Sequence, residues 1–189
     1  MALSRVLITF DDFNLADEIA LLRAGDKRVG AICSFVGTVR DRNFTHTFVS
    51  TRPALPPEGA ELARGGSPLR STISPQDSVL SMELEHYPGM TEKSIEAMID
   101  QAMGRFDIFG ARVVHRVGLL SPLDQVVMVA VISSHRGESF RACEFLMDYL
   151  KTQAPFWKKE ETPQGARWVD ARVSDDAALA RWGIAAKNA

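Results

Sequence analysis

The chain has 189 residues, 46% apolar and 24% charged, with 22 Lys+Arg against 24 Asp+Glu and a net charge of −2. That composition supports one ordinary domain with a real core and excludes wholesale disorder. A near-neutral balance argues against the broad cationic surface of a nucleic-acid binder, while leaving room for a small local anion pocket. Cys33 and Cys143 are too few for a disulfide scaffold or a four-thiolate zinc site, and each has apolar neighbours, where a cysteine behaves as a small buried hydrophobe. Asp11 and Asp12 come too early for a signal-peptide core, and the longest apolar run, 126–132, is too short to span a bilayer. A reducing cytoplasm is the expected setting.

In chain order, residues 5–10 alternate apolar and polar side chains and predict a strand. Asn14 is a suitable N-cap for a short helix carrying Leu15, Ile19 and Leu22 and ending near Gly25. Residues 29–39 are β-branched and aromatic, a strand with Gly30 and Gly37 as points of bulging or close approach. From about 43 to 78 the texture changes to Pro, Gly, Ser and Thr without a sustained period. This predicts a flexible insertion on a β-hairpin, or a lid over a site.

Strand alternation resumes at 79–86, Pro88-Gly89 is a turn, and Thr91 is the expected N-cap of the next helix. Ile95, Met98, Ile99, Ala102, Met103 and Phe106 form one buried helical stripe. Residues 112–117 and 125–133 read as strands joined by a turn at Ser121-Pro122-Leu123-Asp124. A second amphipathic helix is expected over 137–152, stopped by Pro155. Residues 156–160 and 166–171 read as short strands around a Thr162-Pro163-Gln164-Gly165 turn, and 174–182 as a weakly held helix. The expectation is a single α+β domain over 1–189 with a mixed or mainly antiparallel sheet, the insertion at about 43–78, and a weakly ordered tail at about 174–189.

The chemistry-bearing positions are cationic: Arg40 at a strand end, His135-Arg136 before a helix, Lys151, and Lys158-Lys159. A helix N-terminus favours an anion and an arginine adds a bidentate grip on phosphate, although an Arg-Gly surface turn explains His135-Arg136 equally well. Lys151 in a last helical turn has a bland role, complementing the dipole, and Lys158 after Phe156-Trp157 has another, snorkelling along aromatic surface. If the turn at Pro155 folds the two lysines together, each is the second cation that activates the other, and Glu160 is a natural carboxylate to orient one. No dinucleotide, P-loop, nucleophile-elbow or zinc-protease motif is present, and the four histidines lack metal-ligand spacing. His86 and His115 sit in strand patterns, where a satisfied structural histidine is the expected reading.

Several longer motifs add a resemblance. Leu84-Glu85-His86-Tyr87-Pro88-Gly89-Met90-Thr91, Ser134-His135-Arg136, Met147-Asp148-Tyr149-Leu150-Lys151-Thr152 and Ala154-Pro155-Phe156-Trp157-Lys158-Lys159-Glu160 occur in order. With Phe35-Val36-Gly37-Thr38-Val39-Arg40 and Gly165-Ala166-Arg167-Trp168-Val169-Asp170-Ala171-Arg172, this series resembles the catalytic (large) subunit of molybdopterin synthase, from about residue 3 to 182.

The resemblance implies an α/β hammerhead-type fold with an added small β-subdomain. The implied sulfurtransferase activity converts cyclic pyranopterin monophosphate (precursor Z) into molybdopterin, within molybdenum cofactor biosynthesis. The sulfur comes from the C-terminal Gly-Gly thiocarboxylate of a small ubiquitin-like partner. A homodimer of large subunits within a heterotetramer is implied, with no cofactor and no metal. Lys151 and Lys158 match the catalytic lysines. Arg40, His135 and Arg136 match residues binding phosphate and pterin, some reaching in from the other protomer. Thr38, Val39, Lys159 and Glu160 fall in the same binding segments. The insertion after Arg42 departs from the pattern and motivates an alternative, a non-catalytic scaffold that binds the sulfur carrier. An unrelated hydrolase of cyclic phosphates is a third possibility.

Overall fold

The computed structural model describes residues 4–41, 78–169 and 181–184. The elements run β1 (Val6–Thr9), α1 (Leu15–Arg23), β2 (Ala31–Thr38), β3 (Ser81–His86), α2 (Met90–Arg105), β4 (Ile108–Arg116), β5 (Gly118–Leu120), β6 (Gln125–Ser133), α3 (Arg136–Gln153), β7 (Phe156–Thr162) and β8 (Gly165–Val169). They build two four-stranded sheets, ordered β1-β4-β6-β2 and β5-β3-β7-β8. Only β1 and β4 pair in parallel; every other pairing among the described strands is antiparallel. The α+β class with a mixed sheet is as the sequence predicts.

The first sheet is sandwiched, which explains why β4 and β6 read as continuous apolar runs. One set of alternating residues, including Val113, Val129 and Val131, packs with Ile95, Met98, Ile99 and Ala102 of α2 and Phe145 and Leu146 of α3. The other set, Val114, Met128 and Ala130, meets Phe13 and α1 through Leu15, Ile19 and Leu22. Of the expected α2 stripe, Met103 is exposed and Phe106 is the half-buried C-cap, whereas Ile95, Met98 and Ile99 are fully buried. Truncating any one to alanine would cost about 2–5 kcal/mol in lost burial and cavity formation. A smaller cluster of Val39, Met82, Leu84 and Leu120 joins the second sheet to the end of β2.

Asn14 caps α1 as expected, its side chain accepting from Ala16 and Asp17. The start of α2 is a correction. Gly89, not Thr91, is its N-cap, in a left-handed conformation (φ 80°) that favours glycine. The Gly89 N–H donates to the Glu92 carboxylate at 2.6 Å. Thr91 is instead the buried second residue of the helix, where its hydroxyl accepts from the Tyr87 N–H and donates to the Pro155 carbonyl. It ties α2 to the turn that follows α3.

Other boundaries move outward. The strand expected at 112–117 begins at Ile108, and α3 begins at Arg136. The strands flanking the insertion do not form a hairpin, because β2 and β3 belong to different sheets. Their ends nevertheless meet, the Val79 N–H donating to the Asp41 carbonyl at 2.8 Å. Residues 42–77, with nearly all of the predicted insertion, lie outside the described residues, as do 170–180 and 185–189. At 181–184 the chain is a turn that is firmly held. The Trp182 indole donates to Asp148 at 2.8 Å and packs edge-on against Phe145 and Phe106.

Candidate functional site

The site begins where β2 ends. β2 follows β6 residue for residue until an irregularity between Gly37 and Thr38. A Cβ on Gly37 would lie 2.9 Å from a Val127 methyl carbon, so the close approach needs glycine. Beyond the irregularity Val39 is clamped to the 121–124 turn: its N–H donates to Asp124 and its carbonyl accepts from Leu123, both at 2.9 Å. Val39 is thereby a buried wall, with exposed Thr38 and Arg40 on either side of it.

The second contribution comes from the turn at Pro155. α3 ends at Gln153, and Thr152 donates back to the Asp148 carbonyl at 2.9 Å. Lys151 lies in that last turn, where the negative end of the dipole favours a cation by roughly 0.3–1 kcal/mol. β7 starts at once, and its alternation separates the next cations. Lys158 and Glu160 share one face, Lys159 the other. Glu160 is only 3% exposed, with Oε1 3.4 Å from Lys158 Nζ and Oε2 accepting from Arg167 at 3.2 Å.

These segments enclose a cavity of about 550 Å³ lined by Thr38, Val39, Arg40, Lys151, Lys158 and Glu160 among others. That size suits a small-molecule guest. Three of the predicted residues lie elsewhere. Lys159 turns away, its amine 3.8 Å from Glu83 and 5.9 Å from the Trp168 ring centre. His135 is the extended N-cap of α3 and Arg136 its first residue; both are exposed. Fifteen residues at ~1.5 Å rise place Arg136 ~22 Å along the helix from Lys151. The cavity is therefore strongly cationic without them. An anionic small molecule would find Arg40 at one wall and the two lysines at another.

A family model described as MoaE protein matches residues 68–153. The molybdopterin synthase catalytic subunit of Ralstonia nicotianae is 53% identical over 94% of this chain and 84% of its own length. The chain belongs to the molybdopterin synthase catalytic subunit family. Among solved structures, the molybdopterin biosynthesis MoaE protein of Burkholderia ambifaria is similar at TM-score 0.69 and 49% identity, covering 96% of this chain and 99% of that one. A complex of subunits 1 and 2 of molybdopterin-converting factor from Helicobacter pylori shares the fold at TM-score 0.59 and 15% identity, covering 88% and 91%.

Within this member of the molybdopterin synthase catalytic subunit family, some residues that line the cavity or brace its lining escape the sequence reading. Arg167, which braces Glu160, was within reach. A hairpin turning at 162–165 places 167 opposite 160 by counting, as the register shows. His115 was read as structural; it is buried and also lines the cavity. Its ring stacks on Phe156 at 3.9 Å and 17°, and Nδ1 lies 2.8 Å from the Arg116 carbonyl. Burial holds its pKa down at about 4. Phe35, Leu84 and Met147 complete apolar parts of the wall. Cys143 is as inert as its neighbours suggested, since burial and the adjacent Cys33 push its thiol up to about 12. Among the described residues no acid, histidine and cysteine cluster suits a metal, and no helix is long and apolar enough to cross a membrane.

Proposed function

We propose that this chain is the sulfur-transferring subunit of molybdopterin synthase. It passes sulfur from the C-terminal thiocarboxylate of a small ubiquitin-like partner to cyclic pyranopterin monophosphate. The observation that carries this is the single cavity joining Arg40, Lys151, Lys158 and Glu160. Both guests are anions, and fixed cations in a partly dry site hold them together and stabilise charge as it develops. Family membership supplies the reaction class, and "catalytic subunit" in a relative's name presupposes a second polypeptide. We place the reaction in the cytoplasm, where a free thiocarboxylate and reduced thiols coexist.

Lys151 positions the thiocarboxylate, whose sulfur attacks a pterin side-chain carbon, so that a C–S bond forms as a C–O bond breaks. The displaced oxygen leaves with the ring-opened phosphate in one transfer and as water in the other. Lys158, oriented by Glu160, stabilises the oxyanion that forms or the phosphate released on ring opening. Water must then cleave the acyl–sulfur bond, returning the carrier as a carboxylate and leaving the sulfur on the pterin. Each carrier delivers one sulfur, so a dithiolene consumes two.

His135 and Arg136 enter from a second copy. β2 is an outer strand of its sheet among the described residues, and its beginning lies beside the start of α3: Gly30 donates to the Ser133 carbonyl at 3.0 Å. Antiparallel pairing of β2 with its two-fold mate keeps both α3 helices on one side of a continuous sheet. It also brings the mate's 134–136 segment toward residues 38–40. Arg40, Lys151 and Lys158 of one protomer then share a guest with the mate's helix N-terminus, where backbone N–H groups favour phosphate. Reconstitution tests the reading. Mixing the chain with thiocarboxylated carrier and the cyclic pterin should yield molybdopterin. Carrier binding without conversion would favour a scaffold, and turnover without any sulfur donor a phosphate hydrolase.

A further inference from the structure

One buried titratable side chain in the cavity has no part in that scheme. His115 is 8% exposed, sits on β4 between the two sheets, and lines the cavity beside the lysines. A carbonyl oxygen only accepts, so the 2.8 Å contact to Arg116 requires Nδ1 to carry the ring proton. In the neutral ring Nε2 then holds a lone pair. With Nδ1 turned back onto the chain, the edge left for the cavity is the one bearing Nε2.

The charged side chains of the site offer a guest no ready acceptor. Arg40, Lys151 and Lys158 donate, and the Glu160 carboxylate is already committed to Lys158 and Arg167. A guest that is anionic at one end and carries N–H groups at the other would leave those groups unpaired without a neutral acceptor. A pterin is such a guest: its phosphate satisfies the cations, while its flat ring presents amide and amino N–H edges. The setting suits a planar heterocycle, since Phe156 covers one face of the imidazole and Leu84 and Met147 add apolar wall.

We infer that His115 is a specificity-determining residue whose Nε2 accepts a hydrogen bond from a ring N–H of the pterin. The inference rests on the sulfur-transfer reading above. A site built to pair an N–H discriminates against a guest that lacks it, because its own acceptor is then left unpaired. Burial keeps the ring neutral through the neutral pH range, so the lone pair is available under assay conditions.

The test is steady-state kinetics of product formation, varying pterin and thiocarboxylated carrier separately. His115→Phe preserves the stack on Phe156 and removes the acceptor. KM for the pterin should rise about tenfold, with kcat and KM for the carrier within about twofold. His115→Gln returns an amide oxygen near the Nε2 position and should recover most of the loss. An unchanged pterin KM in His115→Phe, a rise confined to the carrier, or no recovery in His115→Gln would overturn the role. A second readout needs no variant. In wild-type protein labelled with ¹⁵N-histidine, adding pterin without carrier should shift the Nε2 resonance of His115 as an accepted hydrogen bond does, and a stationary resonance would overturn the assignment. Wild-type protein that makes no product with both substrates removes the functional reading itself; normal turnover with insensitive variants removes only His115.

Discussion

At its N-terminus α3 presents His135 and Arg136 to solvent, whereas ~22 Å away at its C-terminus Lys151 faces a cavity. The two ends differ in what holds them. Around Lys151 the chain is tied on every side: Thr152 bonds back into the helix, Thr91 reaches the Pro155 carbonyl, and β7 leaves directly into the second sheet. At the other end Ser133 donates to the His135 carbonyl at 2.8 Å, which fixes the backbone, but no side-chain cap is made by His135. A rigid backbone under exposed cations is what a contact awaiting a partner surface would show. The helix dipole points the same way, favouring anions at the His135 end and a cation at Lys151. One helix cannot bring both ends to one guest; two copies can.

The largest expected effect comes from the enclosed end. Lys151→Ala should cut turnover about a thousandfold, ~4 kcal/mol of transition-state stabilisation, while fold and carrier binding persist. Product formed at the wild-type rate in a quenched-flow assay would end the distinction between the two ends.

Acid should weaken the cavity end of the structure first. His115 folds with a pKa of about 4 against an unfolded value of 6.5. The unfolded chain therefore binds the extra proton between these values. Stability is fully present above about pH 6.5 and falls by up to about 3 kcal/mol as pH drops to about 4. His86 on β3 is the charge that acts on this ring, in the same direction as burial, while Arg40, Lys151, Lys158 and Glu160 line the same cavity. Urea melts across that range should show the slope, and His115→Phe should flatten it. An unchanged slope in the variant would assign the acid sensitivity elsewhere.

The exposed end should respond more mildly. Arg136→Ala should raise KM for the pterin roughly ten- to a hundredfold, the loss of a charged hydrogen bond. Mixing sharpens the comparison. When Lys151→Ala and Arg136→Ala protomers exchange freely, half the dimers are mixed, and each mixed dimer has one intact site if the two residues come from different chains. With pterin well below the wild-type KM, where both parent dimers are nearly inactive, roughly a quarter of wild-type activity should return. No recovery after verified exchange would mean that each chain uses its own Arg136.

How much of this was legible in the sequence follows the same division. Residues whose place depends on period were readable for the most part: Ile95, Met98, Ile99 and Ala102 of the α2 stripe are buried as expected, Met103 at its far end is not, and α3 stops just before Pro155. Thr91 was misplaced because threonine at an N-cap is a common preference, while the left-handed Gly89 ahead of it had more to gain from starting the helix. Arg40 and Lys151 were picked by their positions at element ends, but their meeting depends on which sheet takes β2 and which takes β7. No local pattern encodes that. Lys159 was grouped with Lys158 by adjacency, and strand alternation, which sends neighbours to opposite faces, argues otherwise.

Arg167 gives the smallest expected effect and the most direct check on that last point. It stands opposite Glu160 across the β7–β8 hairpin and is half exposed, so water already screens its charge. Arg167→Met leaves the buried carboxylate its contact with Lys158 at 3.4 Å. The expected loss of stability is therefore about 1 kcal/mol, near the value of a single hydrogen bond rather than that of a broken buried pair. Turnover should fall only a few-fold, because Lys158 is drawn more firmly to Glu160 when it no longer shares the carboxylate. Thermal melts and kcat measured on the same preparation separate the two effects. A turnover loss as deep as that of Lys151→Ala, at wild-type stability, would show that Arg167 touches the guest itself. The cationic wall would then extend onto β8, and the enclosed end of the comparison would be larger than Lys151 and Lys158 alone define.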